Sequence, residues 1–196
     1  MEIRRTANAG VLLKLDDVEI LLDGVCQEVK PYLATPPAVK QELISNPPDV
    51  LLFTHEHEDH FDPDYLQRVN QARSAGKVKI TAVPTRHMGH YGKTTPHQSF
   101  VLEGSQTVWF LGDATPMELK KLSGHPKPDV LIVPCPYVST PPALKLLEAL
   151  LPCKIVLLHL PLRENDPDGV WQSVEPGLEY LKAYLYVPEL GEILKF

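Results

Sequence analysis

The chain has 196 residues, of which 43% are hydrophobic and 22% are charged, and its formal net charge is -6. These proportions are those of an ordinary soluble globular protein, and the length fits one domain spanning residues 1–196. The negative charge argues against a nucleic-acid partner, because no excess of Lys and Arg neutralises phosphates, and no apolar run reaches the roughly 18 residues of a membrane helix.

The first half of the chain is predicted to begin with a hairpin, in which strands 10–15 and 18–22 flank Asp16-Asp17. A short helix over 38–45 lies between two proline pairs. The apolar run 50–53 predicts a strand that is covered on both faces. A second helix is expected from Pro63 to about Ala75, with Gly76 as its stop.

The second half is predicted to alternate strands and helices. The expected strands are 77–83, a hairpin of 99–103 with 107–111, then 129–133, 154–158 and 193–196, and the expected helices are 141–151 and 174–186. Two packed sheets with helices outside are the natural arrangement for this order. We therefore predict an α/β (α+β) protein with four layers in the order αββα.

Four polar residues follow predicted strands at their C-terminal ends: His55, His87, Asp113 and His159. Ligands bind at this edge in open α/β sheets. We therefore expect these side chains to meet in one site.

The run His55-Glu56-His57-Glu58-Asp59-His60 predicts a metal site. On an extended backbone His55 and His57 can point the same way and bind one metal, while Asp59 and His60 can face a second metal after the chain turns. Imidazole with carboxylate suits zinc, iron, manganese or nickel. The alternative is an exposed polar loop that binds metal adventitiously.

This run, with Thr54 before it, resembles the HxHxDH signature of the metallo-β-lactamase superfamily, and later landmarks of that family follow in order. The resemblance assigns His55, His57 and His87 to one metal. It assigns Asp59, His60 and His159 to the other. Asp113, in Gly112-Asp113-Ala114, would bridge the two metals, and Asp23 would support a ligand histidine from outside.

The third histidine of the first metal has two candidates, because His87 and His90 both occur in Arg86-His87-Met88-Gly89-His90. The arginine-histidine context resembles the phospholipase-D-like and lactonase-like branch of the family and favours His87. The other two histidines, His97 and His125, are interpreted as surface or strand-end residues.

The resemblance implies a hydrolase that uses a hydroxide bridging two divalent metal ions, zinc by default and manganese or iron as alternatives. Asp59 and Asp113 are the predicted catalytic carboxylates. A small-molecule ester, lactone or phosphodiester is the expected substrate. Two alternatives stay open: a nucleic-acid-processing metallohydrolase, and a catalytically inactive metal-binding member of the fold.

Three further side chains near the predicted site are Arg86, Cys135 and Tyr137. We favour loop packing or a surface ion pair over substrate contact for Arg86 and Tyr137, and a buried, inert thiol for Cys135. The aromatic residues towards the C-terminus are interpreted as core residues, and they are Trp171, Tyr180, Tyr184, Tyr186 and Phe196.

The sequence also carries expectations about compartment and assembly. The three cysteines are odd in number and far apart, which predicts a reducing compartment. No stretch of signal-peptide type follows Met1, so we expect a cytoplasmic protein. Members of the resembled family often pair in solution, which leaves a homodimer open.

Overall fold

The computed structural model describes residues 1–69, 75–151 and 153–196, and its strands form two sheets. The five-stranded sheet has the order β11-β1-β2-β3-β4, and the six-stranded sheet has the order β10-β9-β8-β7-β6-β5. The strands are β1 Glu2–Arg5, β2 Val11–Leu15, β3 Val18–Leu22, β4 Val50–Leu52, β5 Lys79–Pro84, β6 Gln98–Glu103, β7 Thr107–Phe110, β8 Val130–Pro134, β9 Lys154–Leu158, β10 Leu185–Tyr186 and β11 Ile193–Lys195.

In the part of the chain that the structure describes, four α-helices flank the sheets. They are α1 Pro37–Ser45, α2 Pro63–Arg68, α3 Pro141–Glu148 and α4 Val170–Leu181. Three 3-10 helices lie in the connections, at Gly89–Lys93, Pro116–Leu122 and Cys135–Tyr137. Within the ranges that the structure describes, no helix is long and apolar enough to cross a membrane.

The side chains of β7 show how the layers form, because neighbouring residues on a strand face opposite sides of the sheet. Val108 and Phe110 pack against residues of the five-stranded sheet, such as Leu13 and Ile20, and form the core between the sheets. Trp109 points the other way, into the cluster that α4 joins through Val174.

The outer face of the five-stranded sheet is covered by α1 and α2, since Leu21 of β3 packs with Leu43 of α1 and Tyr65 of α2. The layer order is therefore helices, sheet, sheet, helices. This confirms the four-layer αββα arrangement predicted from the sequence.

Strand direction sets the position of the site. The β3–β4 pair and the β7–β8, β8–β9 and β9–β10 pairs are parallel, whereas the other pairs in both sheets are antiparallel. The C-terminal ends of the parallel strands thus meet at one edge of the sandwich.

Three helices differ from the predictions by several residues, and one of them, α3, ends at Glu148 instead of Leu151. Helix α2 ends at Arg68, because Val69 has extended backbone angles (φ -99, ψ 124); the rest of its predicted span, residues 70–74, lies outside the described residues. Helix α4 starts at Val170 and ends at Leu181 instead of spanning 174–186. The side chain of Asp166 accepts hydrogen bonds from the first backbone N–H groups of α4 and so fixes the earlier start.

Strand β1 was not predicted. Its sequence Glu2-Ile3-Arg4-Arg5 has one apolar residue, Ile3, which is fully buried, while the strand pairs with β2 on one side and β11 on the other. Hydrogen bonding on both sides makes a strand of a segment that is polar in composition.

Candidate metal centre

The predicted site residues follow strand ends in the structure. His55 lies three residues beyond β4, His87 three beyond β5, Asp113 three beyond β7, and His159 directly follows β9. Their side chains are nearly enclosed, with exposed fractions between 4% and 8%. The prediction that these four strand ends meet is confirmed by the ring and carboxylate contacts given below.

The first group consists of His55, His57 and His87. One ring nitrogen of each lies within 4.8 Å of the others. Nε2 of His55 is 3.0 Å from Nδ1 of His57, and the ring centroids of His55 and His87 are 4.7 Å apart. Three imidazoles at this spacing match the ligand set of a transition-metal site.

The second group consists of Asp59, His60 and His159, whose ligand atoms also lie within 4.8 Å of one another. A tight turn carries the first two into the site, since the backbone N–H groups of His60 and Phe61 both donate to the carbonyl of His57. Nε2 of His159 is 3.1 Å from Oδ2 of Asp59.

Asp113 lies between the two groups. Its Oδ2 is 3.5 Å from Nε2 of His87 and 3.6 Å from Nε2 of His159, and its Oδ1 is 3.4 Å from Nε2 of His60. One carboxylate therefore faces ring nitrogens of both groups, as the bridging assignment requires.

Asp23 supports both groups from outside. Its Oδ2 accepts hydrogen bonds from Nδ1 of His60 at 2.8 Å and from the Thr54 hydroxyl at 2.6 Å, and its Oδ1 accepts the Thr54 backbone N–H at 2.7 Å. Because the Thr54 hydroxyl gives its proton to Asp23, Oγ1 can only accept from Nδ1 of His55, 2.9 Å away. Asp23 is fully buried and thus fixes the proton of two histidines on the side away from the site.

The other imidazoles of the first group are also oriented by neighbours. Nδ1 of His87 donates to the carbonyl of Met88 at 2.7 Å, which leaves Nε2 directed at the centre. Nε2 of His57 lies 3.3 Å from Oγ1 of Thr95, on the side opposite to the nitrogen that faces His55.

The donor set fits a cation at this position. Nε2 of His60 and Oδ1 of Asp113 are both buried, face each other at 3.4 Å and have no hydrogen-bond partner among the described residues. Since Nδ1 of His60 holds the proton given to Asp23, the facing Nε2 carries a lone pair in the neutral ring and a second proton in the imidazolium. Two acceptors in contact away from water require a proton or a metal ion between them.

Burial and neighbouring charges shift the pKa values of the residues in the centre. Burial lowers the pKa of His60, but the carboxylates of Asp113 and Asp23 outweigh that effect and raise its pKa well above 6.5. Burial raises the pKa of Asp113, yet His159 and His60 hold it well below 3.8. Burial, with a smaller effect of His60, lowers the pKa of His55 far below 6.5, so His55 offers a lone pair at any neutral pH.

Two backbone features allow the chain segments around the centre to approach one another closely. Gly112 has a φ of +52, and a Cβ on it would lie 2.5 Å from the Thr54 side chain, so glycine is required there. His159 has a φ of +60, which non-glycine residues rarely adopt, and its backbone N–H donates to the carbonyl of Asn8 at 3.2 Å. Such strain clusters at functional sites.

The two candidates for the third histidine differ clearly in position. His87 lies in the first group, whereas His90 is exposed on the 3-10 helix Gly89–Lys93. Geometry therefore supports the assignment of His87.

Of the two interpretations of His97, as a surface or a strand-end residue, the strand-end one is confirmed and the surface one is wrong. His97 lies at a strand end, directly before β6, but only 7% of it is exposed. Its Nε2 accepts the backbone N–H of Asp113 at 3.0 Å, and its ring lies 5.1 Å from that of His55. Burial, more than its charged neighbours, lowers the pKa of His97 to about 3, which keeps the ring neutral.

The packing predicted for Tyr137 is confirmed, Cys135 is less buried than predicted, and the surface ion pair suggested for Arg86 stays a prediction. Tyr137 is fully buried in the core beneath the second sheet, and its hydroxyl donates to the carbonyl of Thr115. Cys135 is half-buried, and burial raises the pKa of its thiol to about 12. Arg86 is exposed.

The C-terminal aromatic residues are not all in the core. Tyr180 is 62% exposed, so its assignment to the core is wrong. Tyr186 and Phe196 form an edge-to-face pair with centroids 5.1 Å apart. Tyr32, which sequence reasoning missed, places its ring edge-on to His159 at 4.5 Å.

Three solved structures resemble the chain over its whole length. A possible metal-dependent hydrolase from Veillonella parvula DSM 2008 has a TM-score of 0.78 at 15% identity, covering 100% of this chain and 99% of that one. An isothiocyanate hydrolase from Delia radicum gut bacteria has a TM-score of 0.74 at 18% identity, covering 100% and 99%. A putative Zn-dependent hydrolase of the metallo-beta-lactamase superfamily from Thermotoga maritima has a TM-score of 0.57 at 22% identity, covering 100% and 91%.

At these identities the likeness concerns the fold. A search of curated proteins finds no match. Residues 2–157 match the model of the beta-lactamase superfamily domain, which is most of the chain. The chain therefore belongs to the beta-lactamase superfamily and has its metallo-β-lactamase fold.

Proposed function

We propose that the protein is a hydrolase that depends on two divalent metal ions, with zinc as the default and manganese or iron as alternatives. His55, His57 and His87 would hold one ion, Asp59, His60 and His159 the other, and Asp113 would contact both. The observation that carries this proposal is the buried contact between His60 Nε2 and Asp113 Oδ1, 3.4 Å apart, which needs a proton or a metal ion between the two atoms.

Two divalent ions bound here would supply a hydroxide nucleophile near neutral pH and polarise the oxygen of the bond to be cleaved. The protein's part is to hold the ligand atoms in place. With metal bound, the imidazoles of His55, His60 and His87 would be neutral and present lone pairs on the inner side, because Asp23, Thr54 and the Met88 carbonyl take the outer protons. This arrangement spares the site any reorganisation when a substrate binds.

Asp59 is the carboxylate best suited to accept a proton from water. Its side chain is 14% exposed, and Oδ2 is 3.1 Å from Nε2 of His159. Burial raises the pKa of Asp59. The hydrogen bond from His159 and the charge of His60 together outweigh burial, so the pKa lies below 3.8. Asp59 is thus ionised at neutral pH and available as a base.

A small-molecule substrate is supported by a cavity of about 760 Å³ next to His55 and His57. Its wall includes Phe53, Phe61 and Leu66, with Thr95 and Gln98 as polar groups. Cavities of this size and mixture suit small ligands. We propose an ester, lactone or phosphodiester of a small molecule as the substrate class.

The test is hydrolysis of generic carboxylic esters, lactones and phosphodiesters by zinc-loaded and manganese-loaded protein. An isothiocyanate belongs in the panel because a structure of the same fold is described as an isothiocyanate hydrolase. Turnover that a chelator abolishes, that added metal restores and that His57→Ala lacks supports the proposal.

Two other results would contradict it. Full metal loading without turnover of any substrate class would favour an inactive metal-binding protein. Salt-sensitive binding and cleavage of RNA, with no turnover of the small molecules, would favour a nucleic-acid-processing enzyme.

A further inference from the structure

His97 is a buried histidine that contacts the metal centre without belonging to either ligand group. Its ring centroid lies 5.1 Å from that of His55 and 5.6 Å from that of His87. The ring nitrogens do not face the ligand atoms, because both take part in hydrogen bonds elsewhere.

The directions of these hydrogen bonds follow from the backbone N–H of Asp113, which can only donate. The backbone N–H of Asp113 donates to Nε2 of His97 at 3.0 Å, so Nε2 is an acceptor and the ring proton is on Nδ1. Nδ1 then donates to Oγ1 of Thr85, 2.8 Å away.

The chain of hydrogen bonds continues to the backbone. Ser99 donates its hydroxyl proton to the carbonyl of Leu111 at 3.1 Å, so the 3.0 Å hydrogen bond between the two hydroxyls is donated by Oγ1 of Thr85 to Oγ of Ser99. Every donor has one acceptor, and the three side chains of His97, Thr85 and Ser99 are buried, with exposed fractions between 0% and 8%.

Both ends of this chain lie on the same turn. It starts at the N–H of Asp113 and ends at the carbonyl of Leu111, on either side of Gly112 with its φ of +52. The carbonyl of Asp113 is held separately by the N–H of Met88 at 2.8 Å. The peptide groups that flank the carboxylate are thereby fixed from two directions.

We infer that His97 is a positioning residue that holds Asp113 between the two metal ions through the Thr85–Ser99 hydrogen-bond chain. The predicted effect of His97 on metal binding rests on the proposed function. The hydrogen bond between His97 and the Asp113 backbone is independent of that function.

Two substitutions of similar size at His97 separate the effect of the acceptor at the Nε2 position from the effect of losing the imidazole ring. His97→Gln carries an amide oxygen near the position of Nε2 and can still accept from Asp113. His97→Asn reaches only as far as Nδ1, so it can bond Thr85 but not Asp113. Thr85→Val, compared with Thr85→Ser, removes the hydroxyl that keeps the ring proton on Nδ1.

The first measurement uses metal-free protein labelled with 15N. We expect His97 as the Nδ1–H tautomer, a slowly exchanging Asp113 amide in the wild type and in His97→Gln, and faster exchange of that amide in His97→Asn. Equal exchange in His97→Asn and the wild type would overturn the inference, whether or not the protein binds metal.

The second measurement is zinc affinity, from competition with a chromophoric chelator. We expect His97→Asn and Thr85→Val to bind zinc about 10-fold to 100-fold more weakly, as loss of an outer partner does, and His97→Gln and Thr85→Ser to bind close to the wild type. A His97→Gln variant as weak as His97→Asn would overturn the role of the acceptor. Absence of zinc binding by the wild type would contradict the proposed function. The amide exchange measurement alone would then decide the role of His97.

Discussion

Replacing Asp23 by asparagine should weaken zinc binding without removing any ligand. The carboxylate accepts three hydrogen bonds, two at Oδ2 and one at Oδ1. An amide offers one acceptor oxygen and one donor NH2 group in the same volume. The NH2 group must therefore face a hydrogen-bond donor at either the Oδ1 or the Oδ2 position.

Each orientation of the amide has a definite consequence. With its NH2 group at Oδ1, asparagine faces the Thr54 backbone N–H, which cannot turn away. With its NH2 group at Oδ2, it forces the His60 proton from Nδ1 to Nε2, the nitrogen 3.4 Å from Asp113. The Thr54 hydroxyl would then turn to donate to His55, which moves the His55 proton inward as well.

One misplaced tautomer of this kind typically costs about 10-fold to 100-fold in metal affinity. That range corresponds to about 1.4 to 2.8 kcal/mol. Since the substitution affects His55 as well as His60, we expect a loss towards the upper end of the range, and an effect on both ions.

The assay is a zinc titration of metal-free protein against a chromophoric chelator, with urea unfolding as the check on folding. Asp129→Asn is the matched control, because Oδ2 of Asp129 accepts a backbone N–H at 2.7 Å on an exposed loop away from the centre. Zinc binding by Asp23→Asn within about threefold of the wild type would refute the tautomer argument, because that argument requires at least about a tenfold loss.

Three further predictions concern stability and reactivity. Gly112→Ala should lower the free energy of unfolding by about 1 to 3 kcal/mol or more, since its φ is +52 and its Cβ would meet Thr54 at 2.5 Å, whereas Gly124→Ala, with open space around it, should have little effect in the same urea unfolding assay. Burial raises the pKa of Tyr65 from 10.0 to about 12, so its neutral form stabilises the fold below pH 10 and this contribution is lost as the pH rises towards 12; Tyr65→Phe should flatten that part of the stability profile, and parallel profiles would contradict the shift. The thiol of Cys135 should react slowly with iodoacetamide in the native protein at about pH 8 and quickly after unfolding, as followed by mass spectrometry, because burial raises its pKa to about 12; rapid native alkylation would show an accessible thiolate.

The sequence was sufficient for the layers and for the convergence of the strand ends. A short apolar run such as 50–53 predicts a strand covered on both faces, and parallel strands bring their C-terminal ends to one edge. The positions of His55, His87, Asp113 and His159 after predicted strands therefore predicted a common site.

The role of His97 could not be predicted in the same way. Its neighbours in sequence, Pro96 and Gln98, carry no sign of burial, and its partners Thr85, Ser99 and Asp113 are brought to it by pairing of β5 with β6 and of β6 with β7. Tertiary contacts of this kind have no local pattern.

The boundaries of α4 were predicted too far towards the C-terminus, at 174–186. The helix instead begins at Val170, after Gly169 in the left-handed conformation and under the cap of Asp166, and contains Pro176 in its interior. The Asp166-Pro167-Asp168-Gly169 segment was the local signal for that start.

The most direct test of the metal centre is elemental analysis of the purified protein and of a His57→Ala/Asp113→Ala double variant shown to be folded. The proposed site predicts about two divalent ions per chain in the wild type and their loss in the variant. No bound metal in the wild type, even after incubation with zinc or manganese, would contradict the account.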